Sequence, residues 1–134
     1  YRNQLVIGNC NLSEKMTGYF VRYGDSGSDV DPIAGLYKTQ VFQLARWIGV
    51  PDVIVDKAPS PDMAPGMTDE FALQMRYELL DQILWCLAHA MEPANIQEST
   101  GADEQQISYV RELVRLSAPM RAPPPMPDLT GLVS

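Results

Sequence analysis

The sequence is poor in the residues that would point to several common functions. Two cysteines, Cys10 and Cys86, give no disulfide framework, and a single histidine, His89, leaves no usual zinc set. Basic residues are few: ten Lys and Arg face seventeen Asp and Glu, for a formal net charge of −7. That balance argues against nucleic acid or an acidic membrane surface as the main partner, since both require basic patches. No apolar run approaches the roughly 18 residues of a membrane span. Tyr1-Arg2-Asn3-Gln4 lacks the layout of a signal peptide, which fits a cytoplasmic setting. Gly-x-Gly-x-x-Gly and Walker-type loops are also missing. What is there is 134 residues, 46% hydrophobic and 20% charged, enough for one soluble globular domain with its own core. The chain has no initiator Met, so we expect it to be the remainder of something longer.

Along the chain, Leu5-Val6-Ile7 is a β-favouring run stopped by Gly8. A polar loop leads to Ser13, read as an N-cap, with Glu14 in the first helical turn. Strand, tight turn and helix start are where open α/β folds place ligands. Residues 23–32, rich in glycine and acid, read as a loop. Tyr37-Lys38-Thr39-Gln40 opens the clearest helix, with Val41, Leu44, Ala45 and Ile48 at i, i+3, i+4 and i+7 and Gly49 at its end. Pro59, Pro61, Pro65 and Gly66 exclude helix and central strand between Ala58 and Thr68. Two further helices are expected, Tyr77 to Met91 with Leu80, Ile83, Leu84 and Leu87 on one face, and Asp103 to Ser117 with Ile107, Val110 and Val114 inward. From Pro119 onward the chain carries five of its eleven prolines and reads as an extended tail.

Several residues invite chemistry, each beside a plainer reading. Glu14 either complements a helix dipole or offers carboxylate oxygen to Mg²⁺ where phosphates would sit. Asp25, Asp29 and Asp31 sit in a loop whose acids are most simply solvated turn residues. Their spacing is only loosely that of a calcium loop, and Leu36 stands where the required Glu belongs. Lys38 opens a helix, the end where a cation is disfavoured, and is better explained if it faces phosphate. Ser60 is a hydroxyl stiffened between two prolines. Cys10 has no identifiable His or Asn partner, and His89 reads as a structural residue.

Four stretches carry a resemblance. They are Gly8 to Glu14 (GNCNLSE), Gly18 to Asp25 (GYFVRYGD), Asp29 to Gln40 (DVDPIAGLYKTQ) and Lys57 to Asp62 (KAPSPD). Gly66-Met67-Thr68-Asp69-Glu70 and Tyr77 to Asp81 follow at matching offsets. Together they resemble the C-terminal half of ammonia-type NAD synthetase over about residues 5 to 118. The resemblance implies part of a doubly wound parallel-sheet α/β fold, helix-rich in this portion and related to other ATP pyrophosphatases, in a family that usually works as a homodimer. Residues 1–118 would belong to the catalytic domain and 119–134 form a Pro-rich tail. The implied reaction adenylates the carboxylate of deamido-NAD with ATP and lets ammonia displace AMP, with no obligatory protein base.

By motif position, Glu14 would ligand Mg²⁺ bridging ATP phosphates, and Lys38 would neutralise phosphate charge. Asn9 and Ser60 would contact ATP, where the family has Thr and Thr or Ser. Arg22, in place of the family's Lys, and Asp29 would contact deamido-NAD; Asp25 would lie where ammonia approaches. Two departures stand out. The family's last helix ends Ser-x-His-Lys-Arg, but here Ser117-Ala118-Pro119-Met120-Arg121 loses the His-Lys pair. The family's Ser-Gly-Gly-x-Asp-Ser pyrophosphate loop is nowhere in the chain. We therefore expect an incomplete enzyme, its upstream half, or a glutaminase, being outside these residues. The alternatives are a divergent paralogue amidating or adenylating another carboxylate, or a non-catalytic dimerisation module.

Overall fold

The computed structural model describes residues 3–61, 66–128 and 130. Among them are seven helices in chain order: α1 Leu12–Thr17, α2 Lys38–Trp47, α3 Asp52–Val55, α4 Asp69–Leu73, α5 Tyr77–Ala88, α6 Pro93–Thr100 and α7 Glu104–Arg121. The expected opening strand is reduced to one isolated parallel bridge between Ile7 and Val30, with Gly8 N–H donating to the Val30 carbonyl at 2.7 Å. Leu5, Val6 and Ile7 stay exposed, so the described residues form a helix-rich body without a sheet ladder.

α5 is the hub. Leu80, Ile83 and Leu84 are fully buried along it and meet Ile96 of α6 and Ile107 and Val110 of α7. Burying a side chain of that size stabilises by about 1.5–3 kcal/mol, so this stripe carries much of the core. The stripe expected on α5 and α7 is therefore the one observed. α2 behaves differently. None of its residues is fully buried: Val41 and Ala45 are half-buried while Leu44, Trp47 and Ile48 are exposed, so its apolar face is only partly covered among the described residues.

Two local expectations are corrected. The N-cap of α1 is Asn11, not Ser13: Asn11 Oδ1 accepts from Glu14 N–H and Glu14 Oε2 accepts from Asn11 N–H, each at 3.1 Å. An amide two residues earlier completes the reciprocal capping box, which frees the Ser13 hydroxyl for other work. The second correction concerns α7, which continues past Pro119 to Arg121 instead of ending at Ser117. A proline this close to a helix end forfeits one backbone bond in the last turn. Side-chain anchors offset that loss. Ser117 Oγ donates to the Met16 carbonyl at 2.7 Å, and Arg121 Nη1 donates to the same carbonyl at 2.7 Å. The Ser and Arg kept from the family's terminal motif thus fasten α7 to α1.

α1 ends at Gly18, whose φ of +78° is open to glycine at little cost. A Cβ there would lie 2.7 Å from Ser117 Cβ, so the missing side chain also allows the approach of α7.

Candidate functional site

The turn into α1, the start of α2, the 54–61 segment and the start of α4 enclose a cleft of about 820 Å³. Its lining includes Asn9, Cys10, Glu14, Tyr19, Phe20, Asp25, Lys38, Phe42, Lys57, Ser60 and Asp69. Five of the seven residues proposed from the sequence thus share one cavity: Asn9, Glu14, Asp25, Lys38 and Ser60. Arg22 and Asp29 are not on its wall.

Lys38 is the centre of charge. Its Nζ lies 3.1 Å from Glu14 Oε1 and 4.0 Å from Asp69 Oδ2. The ammonium also sits 5.5 Å from the Tyr77 ring centroid and 5.9 Å from that of Phe42, within cation–π range. The cost of a lysine at a helix N-terminus is therefore met here by two carboxylates and two ring faces. Asp69 was not singled out from the sequence. It is buried and accepts from the Tyr77 hydroxyl at 3.2 Å, and its N–H donates to the Pro59 carbonyl at 2.9 Å, tying α4 to the Ser60 segment. The sequence signal was there in Thr68-Asp69-Glu70, which reads first as an N-cap followed by dipole-complementing acids. Burial and the neighbouring carboxylates of Asp69 and Glu14 push the Tyr77 hydroxyl far above its ordinary value, so it remains a donor.

The backbone that presents Lys38 is held by side chains from other helices. Ser13 Oγ accepts from Lys38 N–H at 2.9 Å and donates to Asp81 Oδ1 at 2.5 Å. Asp81 Oδ2 accepts from Thr39 N–H at 2.8 Å. The first two N–H groups of α2 are thus already satisfied, and what the cleft receives from this helix is the side chain of Lys38.

The other sequence candidates fall as follows. Ser60 Oγ donates to the Met67 carbonyl at 2.9 Å, which closes the proline segment into a loop beside the cleft. Asp25 Oδ2 accepts from Val21 N–H at 2.7 Å, folding the acidic loop back on itself. Asp29 Oδ2 accepts from Val6 N–H at 2.8 Å and so fastens the opening segment. Arg22 Nη2 donates to the Ala122 carbonyl at 2.6 Å, placing it against the end of α7. Asp31 pairs with Lys15 at 2.5 Å. Cys10 is buried, and desolvation together with the Glu14 charge pushes its thiol up to about 12, too high for a thiolate nucleophile at neutral pH.

For a metal, the described residues hold no cluster of three or more His, Cys, Asp or Glu. Three carboxylates line the cleft, Glu14, Asp25 and Asp69, and Asp69 is turned to the Tyr77 hydroxyl. The two oxygens of Glu14 accept from Lys38 Nζ and Asn11 N–H. Each oxygen retains a further lone pair. That donor set fits Mg²⁺, which is held by one or two carboxylates plus phosphate and water, and does not fit an all-protein cage. Two cations, Lys38 and Lys57, and aromatic faces from Tyr19, Phe20 and Phe42 line the same cavity, a chemistry suited to a flat ring with a polyanionic tail. No helix among the described residues is long and apolar enough to cross a membrane.

Comparison with known proteins agrees with the motif reading. A family model described as NAD synthase matches residues 1–124. The NH(3)-dependent NAD(+) synthetase of Thermococcus kodakarensis is 42% identical over 127 residues, covering 94% of this chain and 50% of the relative. That of Sulfurisphaera tokodaii is 43% identical over 130 residues, covering 96% of this chain and 47% of the relative. Among solved structures, NMN synthetase from Francisella tularensis superposes with a TM-score of 0.77 at 28% identity, over 94% of this chain and 48% of that one. The NH3-dependent NAD synthetase of Campylobacter jejuni shares the fold with a TM-score of 0.70 at 23% identity, over 95% of this chain and 46% of that one. The chain spans about half the length of the relatives it matches.

Proposed function

The chain belongs to the NAD synthase family, and from that premise we propose that it supplies part of the site of an ATP-dependent amide ligase making NAD from deamido-NAD and ammonia. The observation that carries this reading is the Glu14–Lys38 pair at 3.1 Å on the wall of the cleft it shares with Asn9 and Ser60.

In the proposed reaction the deamido-NAD carboxylate attacks the α-phosphorus of ATP, and pyrophosphate leaves. Ammonia then attacks the acyl carbon, AMP leaves with the bonding pair, and the nitrogen gives up one proton to solvent. Charge builds on the departing pyrophosphate, and a fixed cation there lowers the barrier without needing to reorganise. Lys38 is that cation, already aimed by its partners. Glu14 would hold Mg²⁺ together with phosphate oxygens, and the ion would supply the rest of the positive charge. Asn9 and Ser60 would contact ATP. Arg22, Asp25 and Asp29 would serve the acceptor side, Arg22 and Asp29 from outside the cleft wall and Arg22 beside the α7 end that lacks the family's His-Lys pair. The Ile7–Val30 bridge would be a fragment of a doubly wound parallel sheet. The exposed apolar residues of α2 and the opening segment fit cover by a segment like the half of the relatives that lies outside the match, or by a second subunit of a homodimer. A cytoplasmic setting follows from this metabolic role.

The test is direct. The pure chain should bind MgATP weakly and make no NAD from deamido-NAD and ammonia, followed chromatographically. Combined with the upstream half of a relative, it should support ATP–pyrophosphate exchange that depends on deamido-NAD. Exchange driven equally well by unrelated carboxylates would favour the divergent-paralogue reading, and no exchange with any acid would remove the ligase assignment.

A further inference from the structure

Asp81 is an acid on the buried side of α5, only 4% exposed, between the fully buried Leu80 and Ile83. Removing a carboxylate from water is costly unless it is hydrogen-bonded, and here both oxygens are. One accepts from Ser13 Oγ on α1 at 2.5 Å, the other from Thr39 N–H on α2 at 2.8 Å. Ser13 is itself fully buried and can donate only one proton. Because that proton points to Asp81, a lone pair of Ser13 Oγ is turned toward Lys38 N–H, which it accepts at 2.9 Å. One carboxylate on α5 thus orients a hydroxyl on α1 and, directly and through it, grips the first two peptide groups of α2. The residues next to those contacts in sequence are Glu14, after Ser13, and Lys38, before Thr39. They are the charged pair on the cleft wall.

We infer that Asp81 is a positioning residue of the nucleotide site: its buried carboxylate locks the start of α2 against α1 and so sets the spacing of Lys38 from Glu14. It touches neither ATP nor acceptor, and it acts through the two backbones it joins. This rests on reading Glu14 and Lys38 as the nucleotide side of the site, but the lock itself is a property of the ligand-free chain.

Asparagine keeps the shape of Asp81 but not its function. Its amide carries one acceptor oxygen and one donor nitrogen, whereas both oxygens of Asp81 accept, one from Ser13 O–H and the other from Thr39 N–H. Asp81→Asn must therefore either leave the Thr39 N–H opposed by another donor or turn the Ser13 hydroxyl away.

The experiment uses the full chain, with two readouts. In the ligand-free protein, nuclear Overhauser contacts between the Lys38 and Glu14 side chains should be present in the wild type and lost in Asp81→Asn, while the core resonances of Leu84 and Val110 persist. In MgATP titrations, Asp81→Asn should weaken binding about tenfold, but by less than about twofold in a Lys38→Met background, because the two changes act on one interaction. Contacts that persist in Asp81→Asn, or a full additional loss of affinity on Lys38→Met, would overturn the proposal. If Asp81→Asn does not fold, Ser13→Ala removes the relay to Lys38 N–H, leaves Thr39 N–H capped, and carries the same readouts. Equal MgATP binding by wild type and Lys38→Met would defeat the nucleotide-site reading, and the side-chain contacts alone would then decide whether Asp81 sets the pair.

Discussion

Glu14 Oε1 and Lys38 Nζ stand 3.1 Å apart across the mouth of a cleft, each side chain 17% exposed, although 24 residues separate them in sequence. The pair is more than a surface ion pair, because Glu14 also completes the capping box of α1 while Lys38 begins α2. Its partial burial raises the strength of its field inside the cavity. In the reconstituted enzyme, Lys38→Met should lower the rate of ATP–pyrophosphate exchange by about 10²–10³, the usual loss when one fixed charge-stabilising group is removed. Glu14→Gln should keep the Asn11 N–H contact, since an amide oxygen also accepts. Its folding penalty should therefore come mainly from the lost charge opposite the largely buried Lys38 ammonium, about 1–3 kcal/mol, while the Mg²⁺ dependence of exchange shifts to higher metal concentration. A metal dependence unchanged in Glu14→Gln would remove Glu14 from the metal site.

Gly18 provides a test of the packing behind the site. Its φ is +78°, and an added Cβ would meet Ser117 Cβ at 2.7 Å and Met120 Sδ at 3.4 Å. Gly18→Ala should cost about 2–4 kcal/mol, combining the penalty for a left-handed residue with overpacking against α7. A urea melt compared with wild type measures it. In a Ser117→Gly background, which by itself forfeits the Ser117 Oγ anchor to Met16, the further cost of Gly18→Ala should fall toward the backbone part alone.

Arg121 reaches from the end of α7 to the last carbonyls of α1, donating to Met16 at 2.7 Å and Lys15 at 3.2 Å, and to Ser117 Oγ at 2.6 Å. Those carbonyls are the acceptors a helix end cannot satisfy internally. Arg121→Met should destabilise by about 1–2 kcal/mol and fray α7 back toward Ser117. Arg121→Lys should recover only part of this, because one ammonium cannot reproduce the guanidinium fork. Amide hydrogen exchange in residues 114–121 is the appropriate probe; unchanged protection in Arg121→Met would show that Pro119 is tolerated without the anchor.

How far the sequence foretold this arrangement depended on whether the cause was local. Gly49 after a periodic stripe marked the end of α2, and Leu80, Ile83 and Leu84 marked the inner face of α5. Both are short-range patterns. α6 escaped notice because Pro-Ala-Asn-Ile-Gln-Glu-Ser-Thr has one buried residue, Ile96, and almost no stripe. α3 and α4 are too short to show a period. The cleft residues were legible as a set only through family motifs, since Asn9, Glu14, Lys38 and Ser60 each have an ordinary local explanation. Asp81 did leave a local trace. Tyr77, Leu80, Asp81 and Leu84 fall at i, i+3, i+4 and i+7, so an acid lies on the buried stripe and must have partners. Those partners, Ser13 and Thr39, are 68 and 42 residues away, and only the folded chain reveals them.

The same burial gives Asp81 a pH signature. Desolvation raises its carboxyl above the ordinary 3.8, an effect that the hydrogen bonds from Ser13 and Thr39 oppose without cancelling and that Glu78 reinforces. The native state then holds the proton more tightly than the unfolded chain, so between the unfolded and folded values the native protein binds more protons. Stability contributed by Asp81 is therefore complete below the unfolded value and is lost as pH rises through the folded one. Asn cannot titrate, and the other acids cancel when wild type and Asp81→Asn are compared at each pH. The stability penalty of Asp81→Asn, read from urea melts at steps from pH 3 to 7, should therefore shrink as pH rises above about 3.8. A penalty that grew with pH would mean that the two hydrogen bonds outweigh burial and that Asp81 is held below its ordinary value.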